Sequence, residues 1–202
     1  MTCVVAIDGP AGAGKSTVAR AVAARLGVTY LDTGAMYRAV TWLGLRRRAD
    51  LDDEAAIAAL AALPIAVEGD TDRLLIGGED ATPHLRDSDV TEAVSRVARH
   101  PSVRAALVGQ QRDWLATHDG VAEGRDIGEV VAPDAAVKVF LTASPDERVR
   151  RRGGSAAAVL DRDARDHRTT PLQPAPGAVV VDSSGLTVDE VVDRIVGLVG
   201  RR

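Results

Sequence analysis

Residues 9 to 17 read GPAGAGKST, a glycine-rich stretch that fits the pattern G-x-x-x-x-G-K-[ST]. Glycine adopts backbone angles that other residues avoid, and it places no Cβ in the path of a ligand. Successive backbone N–H groups can therefore point into one concave cradle, and the free N–H groups at the start of a following helix add to it. We predict that this phosphate loop binds a nucleoside triphosphate through Gly9, Pro10, Ala11, Gly12, Ala13, Gly14, Lys15, Ser16 and Thr17.

Two side chains of the phosphate loop are expected to supply a charge and a metal ligand. Lys15 would reach the outer phosphates and stabilise a migrating phosphoryl group, and the Ser16 hydroxyl would hold Mg²⁺ together with the phosphates. The chain has 25 lysines and arginines, yet only residues 15 and 138 are lysine. A compact ammonium is thus kept in the loop of a chain that otherwise prefers arginine.

The sequence around the loop predicts an α/β fold. Cys3 to Ile7 form an apolar run typical of a buried parallel strand, and helical spacing follows the loop up to a possible cap at Gly27. Further strands are expected near 28–31, 137–141 and 178–181, and helices near 88–99 and 101–116 and after capping motifs at 144–147 and 187–190. We therefore expect a doubly wound parallel sheet with ligands at the carboxyl ends of its strands.

Residues 64 to 80 interrupt this alternation. Two apolar runs, 65–67 and 74–76, flank Gly69-Asp70-Thr71-Asp72, a pattern that predicts a β-hairpin. We interpret this antiparallel piece as part of a lobe inserted into the main fold.

Composition excludes several classes of function. The net charge of −4 and the aromatic content of 2% argue against a nucleic-acid binder. With a single cysteine, Cys3, no internal disulfide is expected, which fits a reducing cytoplasm. The apolar N-terminal run is too short for a signal peptide, and no run reaches the length of a membrane span. The chain has no asparagine, so the N-K-x-D loop of a regulatory GTPase is absent.

Charged loops at the ends of strands narrow the chemistry. Glu123-Gly124-Arg125-Asp126 directly follows a predicted buried strand, where a carboxylate such as Glu123 can order Mg²⁺ or its water. Arginines crowd 148–152 and 162–168, and guanidinium groups grip phosphate oxygens two at a time. We expect the arginines of 148–152 to clamp phosphate, with a solvated surface as the alternative for Arg150 to Arg152.

These motifs together resemble bacterial cytidylate kinases over nearly the whole chain. The resemblance is carried by Asp8-Gly9-Pro10 with the phosphate loop, Leu31-Asp32-Thr33-Gly34-Ala35-Met36-Tyr37-Arg38, Gly78-Glu79-Asp80 and Glu123-Gly124-Arg125-Asp126-Ile127-Gly128. It implies transfer of the γ-phosphoryl group of ATP to CMP or dCMP with Mg²⁺. It also implies a single nucleoside-monophosphate-kinase domain, residues 1–202, with a core of 1–32, 118–147 and 177–202, a monophosphate-binding lobe of about 33–117 and a lid of about 148–168.

The resemblance also assigns roles to individual residues. Catalysis would rest on Lys15, Arg125, Asp126 and Arg162. The CMP site would be formed by Thr33, Arg38, Ser95, Arg104, Arg125, Asp126, Arg162, Asp166 and Arg168. Of these, Ser95, Arg104 and Asp126 would read cytosine, and Asp166 would bind the sugar hydroxyls. The chemistry fits, because a carboxylate can accept from the cytosine N4 amine, which uracil lacks.

The chain departs from the family pattern in its lid and at Glu129. The lid segment is short, Arg168 follows Asp166 by two residues instead of three, and Glu129 stands where threonine is more usual. Gly153-Gly154 is a candidate hinge, with a plain helix-ending turn as the alternative. Two other functions stay open on the sequence: another small-molecule P-loop kinase, of UMP/CMP or shikimate type, and a nucleotide-gated interaction module without turnover. We expect a cytoplasmic monomer with small-molecule substrates and no nucleic-acid or membrane partner.

Overall fold

The computed structural model describes residues 3–68, 73–152 and 172–200. Within these ranges the strands are β1 (Val4–Asp8), β2 (Thr29–Asp32), β3 (Ile65–Glu68), β4 (Arg73–Ile76), β5 (Glu79–Asp80), β6 (Gly120–Gly124), β7 (Val137–Thr142) and β8 (Val179–Asp182). The helices are α1 (Lys15–Leu26), α2 (Thr33–Arg46), α3 (Glu54–Ala61), α4 (Ser88–Ala98), α5 (Pro101–Thr117), α6 (Pro145–Arg152) and α7 (Val188–Val199). A 3₁₀ turn spans Thr82–His84 and a π-helical turn spans Ile127–Val131.

The chain divides into two compact units, Met1–Leu31 with Leu115–Arg202, and Asp32–Trp114. In the first unit the strands lie in the order β2-β6-β1-β7-β8, and β1 pairs in parallel with both β6 and β7. Helices α1 and α7 pack on this sheet around an aliphatic core that includes Val5, Ile7, Val22, Leu141 and Ile195. The predicted α/β fold with a parallel sheet is confirmed.

The register of the sheet determines which loops meet. Ile7 pairs with Glu123, and Asp8 lies between Gly124 of β6 and Phe140 of β7. Because these strands are parallel, their carboxyl ends share one edge of the sheet. The phosphate loop, which follows β1, is therefore adjacent to the loops that follow β6 and β7.

The second unit is mostly helical, with a small antiparallel sheet. Strand β3 pairs with β4 and β4 with β5, so the predicted hairpin is confirmed, although its tip at 69–72 lies outside the described residues. Helix α2 packs against α4. Its amino end is capped by Asp32, whose Oδ1 accepts from the N–H of Ala35 at 2.9 Å. The core, lobe and lid boundaries drawn from the sequence stay predictions.

Two expectations about the first turns of helices need correction. Helix α7 begins with the predicted capping box of Thr187 and Glu190. The apolar spacing of its sequence predicts that Val188 faces the core, but Val188 is 42% exposed. At the start of α6 only half of the predicted capping box forms. Ser144 Oγ accepts from the Glu147 N–H at 3.3 Å, whereas the Ser144 N–H donates to Ser184 Oγ at 2.8 Å.

Candidate functional site: the phosphate loop and its neighbours

The phosphate loop connects buried β1 to α1 and has the backbone that its glycines permit. Gly9, Gly12 and Gly14 all have positive φ angles, of 151°, 80° and 91°. Gly14 is the N-cap of α1, so the free N–H groups of the first helical turn face the loop. The expected helix end at Gly27 is also confirmed, in a left-handed conformation.

Glycine is required at two loop positions because other backbone lies against them. A Cβ on Gly9 would lie 2.0 Å from the carbonyl oxygen of Leu141 in β7. A Cβ on Gly12 would lie 2.9 Å from the carbonyl oxygen of Arg148 in α6. The loop is thus enclosed on its outer side by β7 and α6, and side chains at these two positions would displace it.

Lys15 is the first residue of α1 and is buried. Its Nζ donates to the carbonyl oxygen of Pro10 at 3.0 Å, so the side chain folds back over the loop. This position keeps the ammonium beside the N–H groups of the loop, where a polyphosphate would bring negative charge.

Ser16 and Glu123 form a partly buried pair of oxygen groups next to the loop. Ser16 Oγ donates to Glu123 Oε1 at 2.6 Å, and the Tyr30 hydroxyl donates to the same oxygen at 3.4 Å. Glu123 is the last but one residue of buried β6 and is only 5% exposed. A hydroxyl and a carboxylate held together at a phosphate loop are the hard oxygen ligands that Mg²⁺ prefers.

The loop after β6, residues 125–128 (the β6 loop), is attached to the end of β1 by two contacts. The Asp8 carboxylate accepts from the N–H of Ile127 at 2.7 Å and from that of Gly128 at 2.8 Å. In return, Arg125 Nη1 donates to the carbonyl oxygen of Gly9 at 2.8 Å. Arg125 and Asp126 therefore belong to a loop whose backbone is held by the end of β1, and the side chain of Arg125 reaches the phosphate loop.

Asp8 is the perturbed titratable group of this site. Burial raises its pKa to about 6, with a smaller increase from the nearby charge of Asp126. The hydrogen bonds from Gly128 and Ile127 and the charge of Lys15 act in the opposite direction. Perturbed pKa values of this kind cluster at functional sites, which supports a functional role for this edge of the sheet.

Two arginines of α6 contact the phosphate loop from its outer side, and the expectation that they clamp phosphate stays a prediction. Arg148 is buried and its Nη1 donates to the carbonyl oxygen of Ala11 at 3.2 Å. Arg151 Nη1 donates to the carbonyl oxygen of Ala13 at 3.1 Å. Arg150 points to solvent, 75% exposed, and pairs with Glu147 at 2.7 Å, so the surface interpretation applies to it.

The second unit carries the other described residues of the predicted CMP site. Thr33 is the buried first residue of α2, and Arg38, Ser95 and Arg104 are half-buried on α2, α4 and α5. A Cβ on Gly34 would lie 3.1 Å from Arg38 Nη1, so the guanidinium lies over the first turn of α2. Their joint role in binding CMP stays a prediction.

Several predictions lie outside the described residues. These are the roles of Arg162, Asp166 and Arg168, the hinge at Gly153-Gly154 and a helix that the sequence also predicts near 156–165. Glu129, which had no interpretation, is exposed in the π-helical turn.

Sequence reasoning missed the roles of two residues. Asp8 was noted only as part of a motif, although a charged residue that ends a buried strand is a signal in itself. Ser183 had no signal, since it follows β8 far along the chain. Its Oγ nevertheless accepts from Arg151 at 2.8 Å and lies 3.3 Å from the carbonyl oxygen of Ala13, and Ser183 is only 2% exposed.

Comparison with known proteins finds relatives that share one description. The sequence profile described as cytidylate kinase matches residues 5–201. A cytidylate kinase of Streptomyces griseus is 45% identical over 98% of this chain and 94% of its own length, and one of Mycolicibacterium paratuberculosis is 48% identical over 98% and 96%. A bifunctional pantoate ligase/cytidylate kinase of Synechococcus is 48% identical over 96% of this chain and 42% of its own length.

A solved structure from Thermus thermophilus, TT1252, shares the fold. The TM-score is 0.52 at 21% sequence identity, with 99% of this chain and 97% of that chain covered. At this identity the likeness concerns the fold alone.

Proposed function

The chain belongs to the cytidylate kinase family and transfers the γ-phosphoryl group of ATP to CMP or dCMP, and on this premise we propose which of its residues do so. The observation that carries the proposal is the phosphate loop with buried Lys15, placed beside the tied β6 loop at one edge of the parallel sheet. Phosphoryl transfer depends mainly on positioning the substrates and on neutralising their charge. The loops at this edge of the sheet would position the substrates, and Lys15 would neutralise charge.

We assign the ATP phosphates to residues 9–17. The positive φ angles of the glycines support a cradle of N–H groups, and the free N–H groups of α1 add a favourable dipole. When phosphates arrive, Lys15 would exchange its bond with the carbonyl of Pro10 for the outer phosphate oxygens. Its charge would then count most in the transition state.

We assign Mg²⁺ to Ser16, with Glu123 ordering the ion or its water. The donor set fits, because the Ser16 hydroxyl and the Glu123 carboxylate are both oxygen ligands and lie 2.6 Å apart. When bound, the ion would neutralise part of the negative charge of the phosphates. Glu123 meanwhile holds the Ser16 hydroxyl in a fixed direction through its hydrogen bond.

We assign the acceptor nucleotide to the second half of the predicted set. Arg125 and Arg38 would hold the CMP phosphate together with Arg162, and Asp166 would bind the sugar hydroxyls. Asp126 would accept from the cytosine amine, with Ser95 and Arg104 donating to the ring and Thr33 facing the pyrimidine. Arg168 completes the proposed set. The family resemblance supports these assignments, and the half-buried positions of Arg38, Ser95 and Arg104 leave part of each side chain accessible.

A coupled assay of ADP release tests the function directly. Wild-type protein with ATP and Mg²⁺ is expected to turn over CMP and dCMP well, UMP and AMP poorly, and shikimate not at all. Turnover of shikimate, or ATP binding without any transfer, would instead favour the two alternative functions. Removing Mg²⁺ with EDTA should abolish phosphoryl transfer.

We further propose a cytoplasmic monomer. No helix of the described residues is long and apolar enough to cross a membrane. Light scattering during size-exclusion chromatography would test the monomer at working concentrations.

A further inference from the structure

The outward carbonyl groups of the phosphate loop are held by arginines at alternating residues. Gly9 accepts from Arg125 at 2.8 Å, Ala11 from Arg148 at 3.2 Å and Ala13 from Arg151 at 3.1 Å. Alternation matters because the carbonyl of one residue and the N–H of the next belong to the same planar trans peptide and point in opposite directions.

The two arginines of α6 therefore determine where two N–H groups point. Holding the Ala11 carbonyl outward directs the Gly12 N–H inward, and holding the Ala13 carbonyl does the same for Gly14. Gly12 and Gly14 have positive φ and no Cβ, so their peptides are the ones least fixed by their own residues. A charged donor on the carbonyl also polarises the peptide and strengthens its N–H as a donor.

Arg151 is itself held firmly. Its Nη1 and Nη2 donate to the Oγ and carbonyl oxygen of Ser183, both at 2.8 Å, and its Nε donates to Glu147 at 2.7 Å. Ser183 Oγ lies 3.3 Å from the Ala13 carbonyl oxygen, so the serine and the guanidinium meet at the same peptide. Four of the five N–H groups of the guanidinium thus donate to protein groups, which is the arrangement of a positioning residue.

We propose that Arg148 and Arg151 are positioning residues, which act on ATP by aiming the N–H groups of Gly12 and Gly14 rather than by contacting phosphate. The inference rests on the proposed assignment of ATP to this loop. Ser183 shares the role of Arg151, whereas Arg150, on the same helix and paired with Glu147, does not.

The first test needs no substrate. In ¹⁵N-labelled ligand-free protein, Arg151→Lys should shift the amide resonance of Gly14, and Arg148→Lys that of Gly12. Arg150→Lys is the matched control and should move neither. An unshifted Gly14 amide in folded Arg151→Lys protein would overturn the proposal. This readout is independent of turnover, so a wild-type protein that fails to phosphorylate CMP would defeat the proposed function and not this result.

Kinetics distinguish positioning from direct phosphate contact. Arg151→Lys keeps the charge but loses the fork of donors, so kcat/KM for ATP should fall by roughly tenfold or more while KM for CMP stays within about twofold. Ser183→Ala should lower kcat/KM for ATP in the same way, and the double variant should be little worse than Arg151→Lys alone.

Additive losses would indicate a direct phosphate contact. A lower melting temperature with unchanged kcat/KM for ATP would indicate a structural role, and either result would overturn the proposal. If Arg151→Lys does not fold, Ser183→Ala with the Gly14 amide shift decides alone.

Discussion

The phosphate loop and the β6 loop follow adjacent parallel strands, yet groups of opposite charge hold them. Carbonyl oxygens of the phosphate loop accept from guanidinium groups, whereas N–H groups of the β6 loop donate to the Asp8 carboxylate. The difference follows from what each loop must leave free. A loop that offers N–H groups to an anion is held by its carbonyls, and a loop that offers the side chains of Arg125 and Asp126 can be held by its N–H groups.

The two kinds of support differ in cost. The guanidinium of Arg151 stays about a quarter exposed and keeps its charge in any case. Asp8 is 4% exposed, and burial raises its pKa to about 6, so near neutral pH the protein maintains an ionised carboxylate in an unfavourable place. Stability is therefore given up to position the β6 loop.

The largest expected effect tests the cradle itself. Lys15→Ala should lower kcat by about a thousandfold or more in a folded protein, because charge stabilisation acts mainly on the transition state. Lys138→Ala is the control. Within the part of the chain that the structure describes, Lys138 donates to the carbonyl oxygen of Pro176. Coupled ADP release beside a thermal melt measures both. Activity of Lys15→Ala within about tenfold of wild type would refute the role.

Asp126 tests whether the β6 loop presents its side chains to the base. Asp126→Ala should reduce the ratio of kcat/KM for CMP over UMP by up to roughly a hundredfold, because one bond to the cytosine amine is lost. This factor corresponds to a loss of about 1–3 kcal/mol in discrimination. KM for ATP should change little. An unchanged ratio would mean that Asp126 does not read the base.

Much of the fold could be predicted from the sequence, whereas the contacts that hold the phosphate loop could not. Apolar runs and capping motifs placed β1, β7, α5 and α7 to within one or two residues, because these signals are local. The direction of Arg148 and Arg151 depends on how α6 lies against a loop more than 130 residues earlier in the chain, which no local pattern encodes. The exposure of Val179 and Val180 has a similar cause: β8 is the last strand in the order of the described sheet, so its apolar sequence did not imply burial.

The cost of the Asp8 support can be measured from its pH dependence. The native carboxyl has a pKa of about 6 and the unfolded one about 3.8, so the native state binds more protons between these values. The stability from neutral Asp8 is then full below about pH 3.8 and is lost as the pH rises through 6. Relative to Asp8→Asn, the free energy of unfolding of wild type should fall by about 2 kcal/mol from pH 4.5 to 7.5.

Urea unfolding of both proteins at several pH values, followed by circular dichroism, measures this difference. Other titrating groups cancel in the comparison of the two proteins. A difference that stays constant with pH would show that the pKa of Asp8 is ordinary and that its burial is not costly.

The smallest effect should arise one step away from the phosphate loop, at Glu147. Hydrogen bonds from Arg150 and Arg151 hold the pKa of its carboxyl at about 2, so this pair stays ionised over the working range. Glu147→Gln removes one contact of Arg151 but leaves those to Ala13 and Ser183. Because Arg151 keeps these two bonds, KM for ATP should rise by less than about threefold, with no change in this factor between pH 6 and 9. ATP titrations of Glu147→Gln beside Arg151→Lys measure the contrast. Equal losses in the two variants would show that the ion pair, rather than the bond to the Ala13 carbonyl, keeps the phosphate loop in place.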